Sequence, residues 1–331
     1  MYSSDIKINN SLNTSKVQQL VDAIMQLIST DDVQVGDLLP SVNQLNRDLG
    51  LSRDTVFKAY KELIRRGMIE STPTKGYYVA SENNRIFLLL DSYSPFKDVL
   101  YDSFVKTLGK DYHVDLAFHH YNFRIFETVI LNSIGKYNMY VIMNFNNEKI
   151  SDVLRKIDPK KLLILDWGKY KDENFSYVCQ DFGSAPYACL EEAKHLLKKY
   201  KVLYYYYPDD SVHPDTTYNY FQRFCNENEI KYSLLKELKE DIVEEGSAFF
   251  IFRQKDLVDV LKYIKVKKLK MGKEVGVLAY NDAPLLEVIE NGITCISTDF
   301  VEMGKKAAGF IKSKEKTEVV IPTKLILRGS L

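Results

Sequence analysis

Over the first eighty residues apolar positions recur at helical intervals, and from residue 85 they gather into short unbroken runs. Val17, Leu20, Val21, Ile24, Leu27 and Ile28 share one face over residues 15–29, and Ser15 is placed to cap that helix. Residues 34–40, ending in Leu-Leu-Pro, break it. Ser41 can cap a short second helix whose Leu45 and Leu49 point one way, and Gly50 stands where a helix end favours left-handed backbone. Ser52 caps a third helix with Val56, Ala59, Tyr60 and Leu63 as its buried stripe, and Gly67 ends it. Residues 68–80 then predict a strand, a turn at 73–76 and a second strand. Three helices, the last two joined by a tight turn, followed by a hairpin, make a winged helix-turn-helix.

Behind this head the period changes. Ser81–Asn84 reads as a polar linker between a head of residues 1–80 and an effector region of residues 85–331. Residues 85–90 are a continuous apolar run, as expected of a buried parallel strand. Helix and strand then alternate: helix from Pro95, strand from Tyr112, helix from Asn122, strand from Met139, helix over Ile150–Asp158, strand from Lys161. The alternation restarts after Asp181, with helices from Tyr187, Thr216 and Asp256 and strands from Lys201, Ser247 and Glu274. Such a pattern implies parallel sheets with right-handed crossovers. The fold class is therefore α/β, a winged head followed by two lobes forming a clamp, with ligands expected at the carboxyl ends of the strands.

Chemistry refines the picture. The exposed face of the third helix carries Arg53, Asp54, Thr55, Lys58 and Lys61, short and cationic groups suited to a major groove. Residues 1–40 hold two Lys and five Asp, whereas residues 41–76 hold seven Lys/Arg and four Asp/Glu. Cationic charge thus collects where phosphate contact is expected, although the whole chain, with 45 basic and 45 acidic residues, is balanced. The strand ends carry Asp91, Tyr93, His119, Asn144, Asp166, Trp167, Arg253 and Asn281, planar polar groups for hydroxyls beside rings for an apolar sugar face. No G-x-S-x-G, Walker loop, G-x-G-x-x-G or H-E-x-x-H occurs, which argues against an enzyme. Five histidines are too few and too scattered for a metal site, and adjacent His119 and His120 point oppositely on a strand, so neither metal nor cofactor is expected. Four dispersed cysteines suit a reducing cytoplasm, and neither a leader nor a membrane span is expected.

Two resemblances sharpen these expectations. Residues 12–80, through Gly36-x-x-Leu39-Pro40-Ser41, Gly50-Leu51-Ser52-Arg53-x-Thr55-Val56 and the Gly67 helix end, resemble the GntR-type winged helix. The resemblance implies that Ser52, Arg53 and Thr55 read bases or nearby phosphates, that Lys75 and Gly76 form the wing tip, and that Ser41, Asn43 and Lys58 join the DNA contacts. Val42 and Asn43 stand where that family usually has an acidic-Arg pair, and Phe57 where it often has Arg. Residues 85–331, through Ile293–Ile311 and Val319–Ser330, resemble the effector domain of lactose-repressor-type regulators and periplasmic sugar-binding proteins. This second resemblance implies Asn144, Asp166, Arg253, Asn281 and Thr298 as polar ligand contacts, Asp166 facing Arg253 across a cleft, and Tyr93, Phe96 and Trp167 as ring contacts. His119 joins them from its strand end. The combined architecture is similar to that of arabinose repressors. It implies a cytoplasmic homodimer on a palindromic operator, repressing carbohydrate genes until a monosaccharide such as a pentose or 6-deoxyhexose releases it. The alternative effector is a nucleoside, an amino acid or another small metabolite.

Overall fold

A computed structural model describes residues 6–9, 14–29, 33–73, 76–80, 84–145, 149–167 and 174–331. The expected linker positions 81–83 and the wing residue Lys75 lie outside the described residues. The head contains α1 (Lys16–Ser29), α2 (Val42–Leu49), α3 (Arg53–Arg65), β1 (Ile69–Thr72) and β2 (Gly76–Val79). There follow β3 (Asn84–Leu90), α4 (Pro95–Leu108), β4 (Tyr112–Phe118), α5 (Phe123–Ser133), β5 (Met139–Met143), β6 (Leu162–Asp166) and β7 (Ser176–Gln180). The next stretch holds α6 (Ser184–Leu197), β8 (Val202–Tyr206), α7 (Asp215–Glu227), β9 (Tyr232–Leu235), β10 (Ser247–Ile251) and α8 (Gln254–Val266). The chain closes with β11 (Gly276–Tyr280), α9 (Pro284–Val288), β12 (Thr294–Thr298), α10 (Phe300–Ser313), β13 (Glu318–Ile321) and β14 (Thr323–Ile326). One six-stranded sheet runs β13-β7-β6-β5-β3-β4, the other β14-β12-β11-β10-β8-β9. An N-terminal helical head followed by two α/β lobes is the observed architecture.

The chain divides into two compact units. The first comprises Met1–Ser92, Leu108–Phe145 and Ile150–Leu163. In it, Leu20, Val21, Ile24, Leu45, Val56, Ala59, Tyr60 and Leu63 form the fully buried heart of the head. Tyr60 is kept from being an orphaned polar group by donating its hydroxyl to Pro40 O at 2.5 Å. Segment 34–40 does more than break a helix, because Leu38 bridges Tyr78 and Leu39 N donates to Tyr77 O, which adds a third edge to the wing. Further along this unit β3 pairs in parallel with both β4 and β5, and Ile86 to Leu90 are all buried.

The second unit comprises Tyr93–Thr107, Asn146–Lys149 and Ile164–Leu331. Two apolar layers sandwich its sheet, one built on α6 and α7 with Phe221, Phe224 and Phe250, the other on α8 and α9 with Leu257, Val260 and Leu286. Helices α4 and α10 touch backbone to backbone here, since a Cβ added at Gly304 would lie 2.6 Å from Leu100 O.

Three expectations need correction. Ile150–Asp158 is not an α-helix: only Asp152–Lys156 coils, as a 3-10 turn. Asp158, which precedes Pro159, is held out of helical backbone at φ −56° and ψ 124°, and the Ser151 hydroxyl donates to Asn144 Oδ1 at 2.7 Å instead of capping. Strands β7, β9, β12, β13 and β14 were not foreseen. The second sheet is not wholly parallel, because β14 runs antiparallel to β12.

Candidate functional site

In the head the third helix owes its position to its cap. Ser52 Oγ accepts the Thr55 amide at 3.1 Å and lies 2.8 Å from Thr55 Oγ1, so these two hydroxyls share one proton between them. One hydroxyl proton of the pair remains for a phosphate or base. Arg53, Asp54, Phe57, Lys58 and Lys61 are exposed, and Thr55 is half-buried. Lys58 Nζ pairs with Asp54 at 2.8 Å, one turn back on the same face. Ser41 caps α2 through the Gln44 amide at 3.2 Å and, like Asn43, is exposed. Gly76 opens β2 with φ +79°, a left-handed conformation that a wing tip needs and a side chain would oppose. The helix therefore presents a cationic, solvent-facing surface anchored from below by Val56, Ala59, Tyr60 and Leu63.

The second unit gathers several of the expected ligand residues around one that sequence reasoning missed. Gln180, at the end of β7, is 7% exposed. Its Nε2 donates to Asp166 Oδ1 at 2.5 Å, and its Oε1 accepts from Tyr280 OH at 3.1 Å and Thr298 Oγ1 at 3.0 Å. This amide orientation gives the carboxylate a donor and the two hydroxyls an acceptor. Because the Thr298 proton goes to Gln180, the neighbouring Thr323 hydroxyl, 2.9 Å away, donates to Thr298. Asp166, Tyr280 and Thr298 are all buried, so each bond forms where an unpaired group would be costly. Burial, aided by the Asp166 charge, holds the Tyr280 phenol well above its ordinary range, and it stays a donor.

An aromatic group stands in the same unit. Trp167 stacks on Phe182 with centroids 4.9 Å apart, and Phe182 meets the His213 ring edge-on at 5.7 Å. His213 packs 4.3 Å from Phe252 and 4.6 Å from Tyr280. Desolvation pushes its pKa down to about 3, so the imidazole is neutral. The tautomer follows from Thr217, whose only hydroxyl proton goes to Phe182 O at 2.8 Å. His213 Nε2, 2.8 Å from Thr217 Oγ1, must therefore donate, leaving Nδ1 as an acceptor.

Backbone conformation marks the same places. Asp166 and Asn281, directly at the ends of β6 and β11, have φ +70° and +66°. In the first unit His120 and Tyr121, just past β4, have φ +48° and +54°. Such non-glycine residues each cost about 1–3 kcal/mol and persist where the surroundings over-determine them, often at ligand sites. Asn281 Oδ1 is buried without a hydrogen-bond partner among the described residues.

The other expected contacts are placed as follows. Arg253 is engaged by Asp256 at 2.6 and 2.9 Å and by Asp210 at 2.7 Å, which raises its already high pKa further. Tyr93 is exposed, its hydroxyl on Asp98, and Phe96 lies 4.7 Å from Phe300. In the first unit His119 is fully buried against Tyr121, Phe126 and Phe145, and Asn144 Oδ1 accepts from the Ser151 amide and hydroxyl. No group of three or more His, Cys, Asp or Glu able to hold a metal exists among the described residues. All four cysteines are free and buried, and desolvation pushes Cys189 up to about 11 and Cys225 up to about 12, as unreactive thiols. Among the described residues no helix is long and apolar enough to cross a membrane.

Two family models and several known proteins match parts of the chain. Residues 16–79 match the family described as "Bacterial regulatory proteins, gntR family", and residues 193–331 match "Periplasmic binding protein-like domain". The chain is 34% identical over 95 residues to the HTH-type transcriptional repressor YtrA of Bacillus subtilis, covering 29% of this chain and 72% of that one. It is 34% identical over 70 residues to the uncharacterized HTH-type transcriptional regulator YcxD of the same organism, covering 21% of this chain and 16% of that one. A third relative, the mannosyl-D-glycerate transport/metabolism system repressor MngR of Escherichia coli, is 34% identical over 92 residues, which is 27% of this chain and 37% of that one. The chain thus spans well under half the length of YcxD and of MngR. In fold it is similar to the trehalose repressor of Escherichia coli, with TM-score 0.61, 12% identity and coverage of 73% of this chain and all of that one. It is equally similar to a LacI family transcriptional regulator from Arthrobacter sp. FB24 in complex with lactose, with TM-score 0.61, 15% identity and coverage of 75% and 99%. Fold and relatives are those of transcription regulators, not of enzymes.

Proposed function

The chain belongs to the gntR family of bacterial regulatory proteins, and from that premise we propose that it represses genes of carbohydrate use until a small sugar releases it from its operator. The observation that carries the effector half of this reading is the buried Asp166–Gln180–Tyr280–Thr298 knot in the same unit as the Trp167–Phe182 stack. Fixed carboxylate, amide and hydroxyl groups orient a polyol, and a flat ring takes its C–H face. Relatives add weight in kind, one being a repressor of mannosyl-glycerate metabolism and one solved neighbour holding lactose. A pentose or 6-deoxyhexose is the effector class favoured here, on a two-fold operator bound by a homodimer, since two-fold proteins match two-fold sites.

The effector acts by binding one conformation of the protein better than another. A coupling of about 1–3 kcal/mol would weaken operator binding roughly 5- to 150-fold, and linkage requires operator DNA to weaken the sugar equally. The test is a thermal-shift screen of monosaccharides beside nucleosides and amino acids, followed by an operator titration with the best ligand. A sugar that shifts the melting point and loosens the operator supports the reading, and Asp166→Ala should abolish that shift. A nucleoside or amino acid acting in its place would replace the sugar, and tighter operator binding would reverse the sign.

A further inference from the structure

Phe57 is the fifth residue of α3 and 56% exposed. It stands one turn after Arg53 and one turn before Lys61, so a large apolar ring is bracketed along one face by two exposed cations. Its neighbours Val56, Ala59 and Tyr60 are buried beneath, so Phe57 is not needed for the core of the head. No ring contact, ion pair or hydrogen bond engages its side chain among the described residues. A single exposed apolar residue on an ordinary surface needs no explanation. This one sits in the middle of a cationic helix face, where a polyanion is the complementary partner.

The major groove of DNA offers one apolar feature on its base edges, the 5-methyl group of thymine, and Phe is among the side chains that pack on it. We propose that Phe57 is a specificity-determining residue that reads thymine by covering this methyl group in the major groove. The proposal rests on α3 being the helix that enters the groove. Arg53 and Phe57 lie about 6 Å apart along the helix axis, so the thymine falls within about two base pairs of the base that Arg53 contacts. Arg53 supplies hydrogen-bond readout, Phe57 supplies methyl readout, and Lys58 and Lys61 supply phosphate attraction without sequence preference.

The experiment uses the full-length protein and a duplex that it selects from a random-sequence library. Each thymine of that duplex is replaced in turn by deoxyuridine, which removes only the methyl group. One thymine per half-site should show a loss of about fourfold in wild-type affinity, the worth of one buried methyl. Phe57→Ala should bind the thymine and deoxyuridine duplexes alike and accept other base pairs at that position, while Phe57→Leu retains a reduced penalty. Alanine favours helix and the site is exposed, so both variants should melt as wild type does. Equal deoxyuridine penalties in wild type and Phe57→Ala, or none anywhere, overturn the proposal. If Arg53→Ala weakens binding while Phe57→Ala behaves as wild type, α3 remains the groove helix and only the thymine reading falls. If neither variant alters binding, the groove placement itself falls. A change in self-association with Phe57→Ala, at unchanged thymine preference, would assign the ring to a protein interface and likewise overturn it.

Discussion

On α3, Arg53, Phe57, Lys58 and Lys61 stand in solvent, with the exposed Lys58–Asp54 pair among them. At the strand ends of the second unit, Asp166, Gln180, Tyr280 and Thr298 are buried and held by one another. The first arrangement suits a partner that is itself rigid, because a duplex supplies the order and the side chains adjust to it. The second suits a small flexible ligand, because there the protein must supply the order in advance. The physical consequence is a separation of costs. Changing a side chain on α3 should alter binding and spare folding, whereas changing the buried knot should alter both, since each member leaves partners unsatisfied.

The sharpest way to break this contrast is Gln180→Leu. It removes one amide, and with it a donor to Asp166 Oδ1 and the acceptor of the Tyr280 and Thr298 hydroxyls. A loss of about 2–4 kcal/mol in unfolding free energy is expected, because three buried groups each lose a hydrogen-bond partner. The denaturant midpoint of the full chain measures it. A variant as stable as wild type would mean that the knot is a loose set of polar groups and that the contrast with α3 is false. Next in size is Arg53→Ala, which should weaken operator binding by about 1–3 kcal/mol, as for one lost base contact, at an unchanged melting temperature. A drop in melting temperature of several degrees would show that the helix face carries stability after all.

The same contrast decides what was legible in the sequence. The head could be read almost residue by residue because its signals are local. Ser41 and Ser52 cap their helices as expected, Gly50 takes left-handed backbone at φ +63°, and the stripe Val56, Ala59, Tyr60, Leu63 is fully buried. Asp166 was visible as a polar group at a strand end, and Thr298 only through the resemblance to lactose-repressor-type effector domains. Gln180 was not, because β7 itself was missed. Ser176–Gln180 has neither alternation nor an apolar run, and its burial depends on pairing with Glu318–Ile321, about 140 positions away. The rings of Trp167, Phe182, His213 and Tyr280 converge only through tertiary structure, and no spacing rule connects them. Arg253 was visible as a polar strand end, but not its partners: its guanidinium is tied to Asp256 and Asp210.

A smaller effect probes the aromatic group around His213. The unfolded chain takes up a proton near pH 6.5 and the folded chain only near pH 3. Since the unfolded state binds the proton more tightly, stability falls as pH drops below 6.5, and this contribution vanishes above it. The ring is enclosed by Phe182, Phe252 and Tyr280 in a half-buried residue, so the loss at pH 5 should be about 1–2 kcal/mol. Melting temperatures between pH 5 and 8 should show this slope in wild type and a flatter one in His213→Gln, which keeps a donor for Thr217. An identical slope in both would place the acid sensitivity elsewhere.

The smallest effect returns to α3 and asks whether its charges act as surface charges should. Lys58 and Asp54 form a pair with 65% and 73% of their side chains exposed. Such a pair contributes about 0.3–0.5 kcal/mol to stability and is screened by salt. Lys58→Gln should therefore cost little in folding, but it should lower affinity for all sequences alike. The slope of log affinity against log salt should fall by about 0.9 if the ammonium neutralises one phosphate. Asp54→Asn is the informative partner. It frees Lys58 from its carboxylate and removes a negative charge from the face, so DNA binding of every sequence should tighten. It also takes an acidic residue from the first turn of α3, where the helix dipole favours one, so stability should fall by about 0.3–1 kcal/mol. Opposite signs on binding and folding from one substitution are what an exposed reading surface predicts. If Asp54→Asn instead relaxed sequence preference, the carboxylate would be reading a base, and α3 would be a preorganised site like the knot around Gln180.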